Sequence, residues 1–207
     1  MTLTDLSLRD LLSAFSSSDP TPGGGSASAL ASALGASLLM MVAGLPRTRH
    51  GSEDDRRPLT AAVDLLNGIR AELTTAIDTD SAAYSEVVAA YKLPKASAGD
   101  QVLRTAAIQQ ALRDATDVPL RVMRLSAAAL DQANVIAAHA HTAAASDVGV
   151  GIALLHAGLH GAQLNVDINL GSLADAEYTA AVNAEATGLA ERAADAIARA
   201  ASLLRRP

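Results

Sequence analysis

Between Ala27 and Leu45 the chain carries no charged residue, and this run opens on Pro20-Thr21-Pro22-Gly23-Gly24-Gly25-Ser26. Two prolines stop whatever precedes, three glycines reach backbone conformations closed to other residues, and a run of small residues with good helix propensity follows. Gly25, Ala29 and Ala33 fall four apart, as do Ser28, Ser32 and Ala36. A helix here carries two small-residue stripes through which backbones can meet at short distance. The run is long enough to raise the question of a membrane span. Its serines and glycines leave it weakly apolar, however, and no basic flank accompanies a second such segment. We therefore read a buried helix at the centre of a bundle or across a dimer axis. Its first turn points bare N–H groups at a ligand or at a close packing partner.

Hydrophobic residues make up 50% of the 207 positions while aromatics make up only 2%, and alanine supplies much of the difference. Alanine favours helix and adds little bulk, so the expectation is an all-α, single-domain bundle of long, closely approaching helices. Limited apolar area per helix favours burying more by self-association, hence a homodimer. A net charge of −6, with no Lys/Arg-rich run before Arg205-Arg206, argues against nucleic acid and for a small-molecule partner. The absence of cysteine removes disulfides, thiolate metal sites and cysteine nucleophiles together. Met1-Thr2-Leu3-Thr4-Asp5 lacks the basic and apolar regions of a signal peptide, so the expectation is a cytoplasmic protein with no membrane partner.

Leu8, Leu11, Leu12 and Phe15 mark a short amphipathic helix started by Ser7 and Asp10. The central helix runs from Gly24 to about Leu45. Pro46 to Arg57 is polar and reads as a loop leading into a helix with Pro58 near its first turn. From Pro58 on, Val63 to Tyr91 keep helical spacing until Pro94, a rod of roughly 50 Å. Ser97 to Asp100 can cap a further helix, which Pro119 kinks or breaks. The polar His139-Ala140-His141-Thr142 region leads to another helix from about Ser146 to Leu170. The final helix, Asp175 to Leu204, is acidic first and carries arginines late, as the helix dipole favours.

Four features carry candidate chemistry. On the third helix Asp80 falls among Ile77, Tyr84, Val87 and Tyr91 rather than on the polar face. A carboxylate there is either an acid–base group with a pKa raised by burial or a bridge between helices. On the later helix Asp147, Val150, Leu154, Gly158, Gly161, Asn165 and Ile168 share a face, with Asn169 beside them. Asp147 and Asn165 stand about 27 Å apart, too far to hold one small reacting group, so they touch different parts of an extended ligand or belong to two sites joined by a two-fold axis, unless Gly158 and Gly161 simply allow close helix contact while the asparagines bind backbone carbonyls. His156 and His160 have the spacing of a helical metal pair, but no glutamate follows the first and no third ligand is evident, so no metal is expected. Lys92 and Lys95 end the long helix and suit a carboxylate tail or simply the helix C-terminus.

Together, Pro20 to Ser26, Asp80-Ser81-Ala82-Ala83-Tyr84 followed by Tyr91-Lys92-Leu93-Pro94-Lys95, and Ser146-Asp147 followed by Gly161-Ala162-Gln163-Leu164-Asn165-Val166-Asp167-Ile168-Asn169 resemble the formiminotransferase-cyclodeaminase C-terminal domain family. The resemblance runs in order over nearly the whole chain and implies one helical domain over residues 1–207, a homodimer and a tetrahydrofolate substrate with no further cofactor. It does not say which reaction; the reading preferred is methenyltetrahydrofolate cyclohydrolase, with formimidoyltetrahydrofolate cyclodeaminase or a non-catalytic dimerisation module as alternatives. Asp147 and Asp80 then share the base and acid roles, with Tyr84 as a polar partner or pterin contact. Thr21, Gly23, Gly24, Gly25 and Ser26 line the ligand, Asn165 and Asn169 hold pterin edge atoms, and Lys92 or Lys95 takes the glutamate tail. Family members often carry a Gly-Asn pair shortly before the Ser-Asp. Here the stretch is Ala138 to Ala145, and His141 or Thr142 stands in for that polar contact.

Overall fold

The structure, a computed structural model, describes residues 2–205. Arg206, one of the closing cations, and the extreme ends of the 1–207 domain lie outside them. Among the described residues there are six α-helices: α1 Leu8–Phe15, α2 Gly24–Ala43, α3 Glu53–Tyr91, α4 Ala98–His139, α5 Ala145–Leu170 and α6 Ala176–Leu204. Short 3-10 turns at Leu3–Asp5 and Thr142–Ala144 complete the described elements, which include no strand. The all-α expectation holds, with longer rods than expected: α3 has 39 residues and α4 has 42, about 58 and 63 Å at the helical rise.

Two expectations are corrected. The charged stretch is not loop as far as Arg57, because the Ser52 side chain accepts from the Asp55 N–H and starts α3 at Glu53. Pro58 consequently lies inside the helix, beyond its first turn. Pro119 does not break α4 either. A proline at 119 leaves the Ala115 carbonyl without its intrahelical donor, and Asn169 of α5 supplies one, its Nδ2 donating to that carbonyl at 2.9 Å.

The uncharged α2 packs on α3, α4 and α5, with Ala29, Ala36 and Leu39 fully buried. It runs antiparallel to α5 at close range, because glycines on α5 meet small residues on α2. A Cβ on Gly158 would stand 2.6 Å from the Ser28 carbonyl, and one on Gly161 would collide with the Ser28 hydroxyl. Gly35 faces the Gly151 carbonyl in the same way from the other side. The hydroxyls admitted by this approach are satisfied: Ser28 donates to the Gly24 carbonyl at 2.7 Å, and Ser32 shares a 2.7 Å hydrogen bond with Ser126 of α4. The core continues through Leu59, Leu66 and Leu73 of α3 and Met123, Leu130 and Ile136 of α4. Helix α6 lies on α4, joined by Arg124 to Glu185 and Arg192 to Asp131.

Three substitutions test this packing by urea unfolding. Gly158→Ala is expected to cost about 1–3 kcal/mol through overpacking, because its nearest neighbours include fixed backbone. Gly68→Ala, where an added Cβ meets nothing within 4 Å, is expected to stabilise α3 by about 0.5–1 kcal/mol. Asn169→Ala is expected to cost about 1–3 kcal/mol by orphaning the Ala115 carbonyl.

Candidate active site

The glycine turn delivers α2 directly onto α3. Gly23 caps α2 without a side chain, and the Ser26 N–H in the first turn donates to Asp80 Oδ2 at 2.8 Å. The Ser26 hydroxyl lies 3.1 Å from the same oxygen, 2.8 Å from the Ile77 carbonyl and 3.1 Å from the Ser81 hydroxyl. A Cβ on Gly25 would come within 2.5 Å of the Asp80 carboxyl carbon, so glycine at 25 makes room for this carboxylate. Asp80 bridges α2 to α3 and is half-buried at the N-terminus of α2. Burial pushes its carboxyl above the ordinary aspartate value of 3.8, against the opposing effect of the Ser26 hydrogen bonds.

Asn165 of α5 completes this end of the bundle. Its Nδ2 donates to the Gly161 carbonyl at 2.8 Å and lies 3.5 Å from where a Gly24 Cβ would stand. The N–H groups of Gly24 and Gly25 occupy the first turn, where no intrahelical carbonyl reaches them. Tyr84 is exposed one turn beyond Asp80. Lys92 and Lys95 are exposed at the far end of α3, Lys92 about 18 Å along the helix from Asp80. Thr21 and Gly23 are half-buried in the turn that enters α2. Asn169 does not join this group through its amide nitrogen, which is spent on α4.

Asp147 stands elsewhere. It sits in the first turn of α5 and lines a cavity of about 330 Å³ with Leu45, Pro46, Arg47, His141, Ala143 and Ala144. Because α2 and α5 are antiparallel, this cavity lies at the end of the pair opposite Asp80 and Asn165. One chain therefore holds two half-constellations, separated by about 27 Å along α5. The face shared by Asp147 and Asn165 is also divided: Gly158 turns into α2, while Val150, Leu164 and Ile168 are exposed, Ile168 to 73%. Leu34 and Met41 continue the exposed apolar surface on α2. His156 and His160 are exposed on α5, and no group of three His, Cys, Asp or Glu side chains among the described residues is placed to hold a metal ion.

Two contributors escaped the sequence reading. Arg47 enters the Asp147 cavity from a loop with no helical period to place it. Asp55, at 3% exposure, is fully buried although it sits within an acidic run that reads as surface, and it accepts from His139 Nδ1 at 3.0 Å across 84 positions of sequence.

The fold is a helical bundle in which a glycine-opened helix meets a half-buried carboxylate from a long neighbour. The chain belongs to the formiminotransferase-cyclodeaminase family, whose model matches residues 7–188. It is 36% identical over 171 residues to a methenyltetrahydrofolate cyclohydrolase of Methylorubrum extorquens, covering 83% of this chain and 82% of that protein. It is 32% identical to a formimidoyltransferase-cyclodeaminase of Gallus gallus over 88% of this chain but only 34% of that longer protein. The crystal structure of formiminotetrahydrofolate cyclodeaminase from Thermotoga maritima superposes with a TM-score of 0.86 at 27% identity, covering 96% of both chains.

The raised Asp80 pKa has a stability consequence whose sign is fixed. A carboxyl whose folded pKa exceeds its unfolded one binds more protons when folded, so it costs stability as pH rises from 3.8 through the folded value, and the cost persists at neutral pH. Asp80→Asn keeps an oxygen to accept from Ser26. It is expected to unfold at an equal or higher temperature than wild type at pH 7, measured by circular dichroism.

Proposed function

We propose that this chain is a cytoplasmic homodimer that hydrolyses 5,10-methenyltetrahydrofolate to 10-formyltetrahydrofolate. The observation that carries the reading is Asp80, a half-buried carboxyl with raised pKa beside unfilled N–H groups at the start of α2. Similarity to the cyclohydrolase over 82% of that protein's length supports the choice of reaction. Water adds to the amidinium carbon between N5 and N10, and a carboxylate takes its proton. The tetrahedral adduct then breaks its bond to N5, which receives a proton, and the formyl group stays on N10. One proton is released overall. A carboxylate with a raised pKa takes the water proton more readily than an ordinary one, because burial disfavours its charged form. The substrate is already a cationic electrophile, so the reading calls for no metal or further cofactor.

In this reading Asp80 and Asp147 divide the base and acid roles and Tyr84 contacts the pterin. Thr21 and Gly23 to Ser26 form the wall on which the ligand lies, and Asn165 meets the pterin edge. Lys92 and Lys95 take the glutamate tail. Asp80 and Asp147 come together only if a second copy supplies one of them, and the exposed apolar face supports this. The α2/α5 pair measures about 30–39 Å by about 20 Å, so two such faces bury roughly 1,200–1,600 Å² in total, enough for a standard interface. An antiparallel two-fold sets Asp80 opposite the partner's Asp147, whereas a parallel one opposes like carboxylates. The two longest apolar helices, α2 and α5, are the ones whose outer sides would be covered this way.

The second reading is the cyclodeaminase, in which N10 closes onto the formimino carbon and ammonia leaves; the 96% coverage of the Thermotoga enzyme favours it. Purified protein is given each folate while the methenyl chromophore is followed. Loss with methenyltetrahydrofolate supports the cyclohydrolase, gain with formiminotetrahydrofolate supports the cyclodeaminase, and no change with either overturns both. Asp80→Asn is expected to lower kcat by about 10²-fold or more, and the acid limb of the wild-type pH–rate profile should lie above 3.8. Asp80→Asn and Asp147→Asn chains, each inactive alone, should regain about a quarter of wild-type activity when mixed and allowed to exchange, since half the dimers then hold one intact site. A mixture that stays inactive would show that the two aspartates do not share a site across subunits.

A further inference from the structure

Asp55 is the only fully buried charged side chain among the described residues. A buried ion pair is weak support for stability, because desolvation offsets its attraction, and its usual return is a fixed geometry. The geometry here is specific. Asp55 lies in the first turn of α3 and accepts the His50 backbone N–H at 2.7 Å, His139 Nδ1 at 3.0 Å and His50 Nδ1 at 3.3 Å. The His139 hydrogen bond is the largest influence holding its carboxyl well below the ordinary range, against burial. A carboxylate only accepts, so both imidazoles carry their proton on Nδ1 when neutral.

These three residues hold the two walls of the Asp147 cavity. His139 ends α4, and two residues later His141 enters the cavity. His50 belongs to the loop that brings Leu45, Pro46 and Arg47 to the opposite wall. The same two segments are joined by backbone: the Arg49 N–H donates to the His139 carbonyl at 2.8 Å, and Thr48 bridges to Ala140. The Arg49 guanidinium reaches the Ala137 carbonyl at 3.0 Å, and Arg56 holds the Ala43, Leu45 and Pro46 carbonyls. Asp55, itself on α3, hydrogen-bonds to both segments.

We propose that Asp55, acting through His139 and His50, is a positioning group that sets Arg47 and His141 around Asp147 without touching the substrate. The kinetic part of this inference rests on the folate reading above, and the structural part does not. Asn places its Nδ2 close to where His carries Nδ1, so His139→Asn preserves the hydrogen bond that His139→Ala removes.

Two readouts follow. Trypsin cuts after Arg47 and Arg49 faster when this loop detaches. His139→Ala is expected to be cut there about tenfold faster than wild type, the loss of a hydrogen bond to a charged group, and His139→Asn within about twofold of wild type. With methenyl- or formiminotetrahydrofolate, whichever the wild type turns over, His139→Ala should raise KM about tenfold with kcat within about twofold, and His139→Asn should restore KM. His50→Ala removes the weaker, more exposed imidazole and should give a smaller change in the same direction, which also decides the matter should His139→Ala not fold. Unchanged cleavage in both alanine variants, or equal damage from His139→Asn and His139→Ala, overturns the proposal. A wild type inactive on both folates removes the function proposed above while the proteolysis still decides the positioning role.

Discussion

The bundle depends on the close approach of α2 to α5. Neither helix can bury enough bulk to hold the other at ordinary distance, so glycine on α5 meets serine on α2 and the backbones come within van der Waals contact of each other's Cβ positions. Because the pair is antiparallel and tightly registered, Asn165 falls beside Gly24 and the loop after α2 falls beside Asp147. Each candidate half-site is a consequence of that register. A shift of α2 against α5 by one helical turn would part Asn165 from Gly24 and Asp147 from the loop after α2.

At one end, room is made for a carboxylate that is not fully neutralised. Ser26 gives Asp80 two hydrogen bonds, yet burial still outweighs them and the pKa rises. At the other end Asp55 is treated in the opposite way, with enough donors to hold it ionised despite deeper burial. The two carboxyls are shifted in opposite directions, Asp80 because burial outweighs its hydrogen bonds and Asp55 because its donors outweigh burial.

Much of this was legible in the chain. The uncharged run and its small-residue stripes identified the central helix, and helical wheels singled out Asp80 and the Asp147–Asn165 separation, because those depend only on the helical period. Pro119 was misread for want of a distant fact: a proline ends a helix unless something else donates to the freed carbonyl, and here Asn169 does. The same bond gives the Asn169 amide nitrogen a structural task that the helical wheel did not show. The start of α3 was misplaced because Ser52 and three acidic residues form a cap and first turn that composition alone presents as a polar loop.

The sequence by itself determined an all-helical chain, its central helix, the glycine-rich entry to that helix and the family, because these rest on local propensity, periodicity and motif order. The tertiary structure decided that Asp80 occupies the space of a missing Cβ, that Asn169 repairs α4, that Asp55 is buried between histidines, and that Asp80 and Asp147 lie at opposite ends of one chain. Each of these depends on which helices meet and in what register, and that is fixed only when side chains far apart in sequence compete for the same volume.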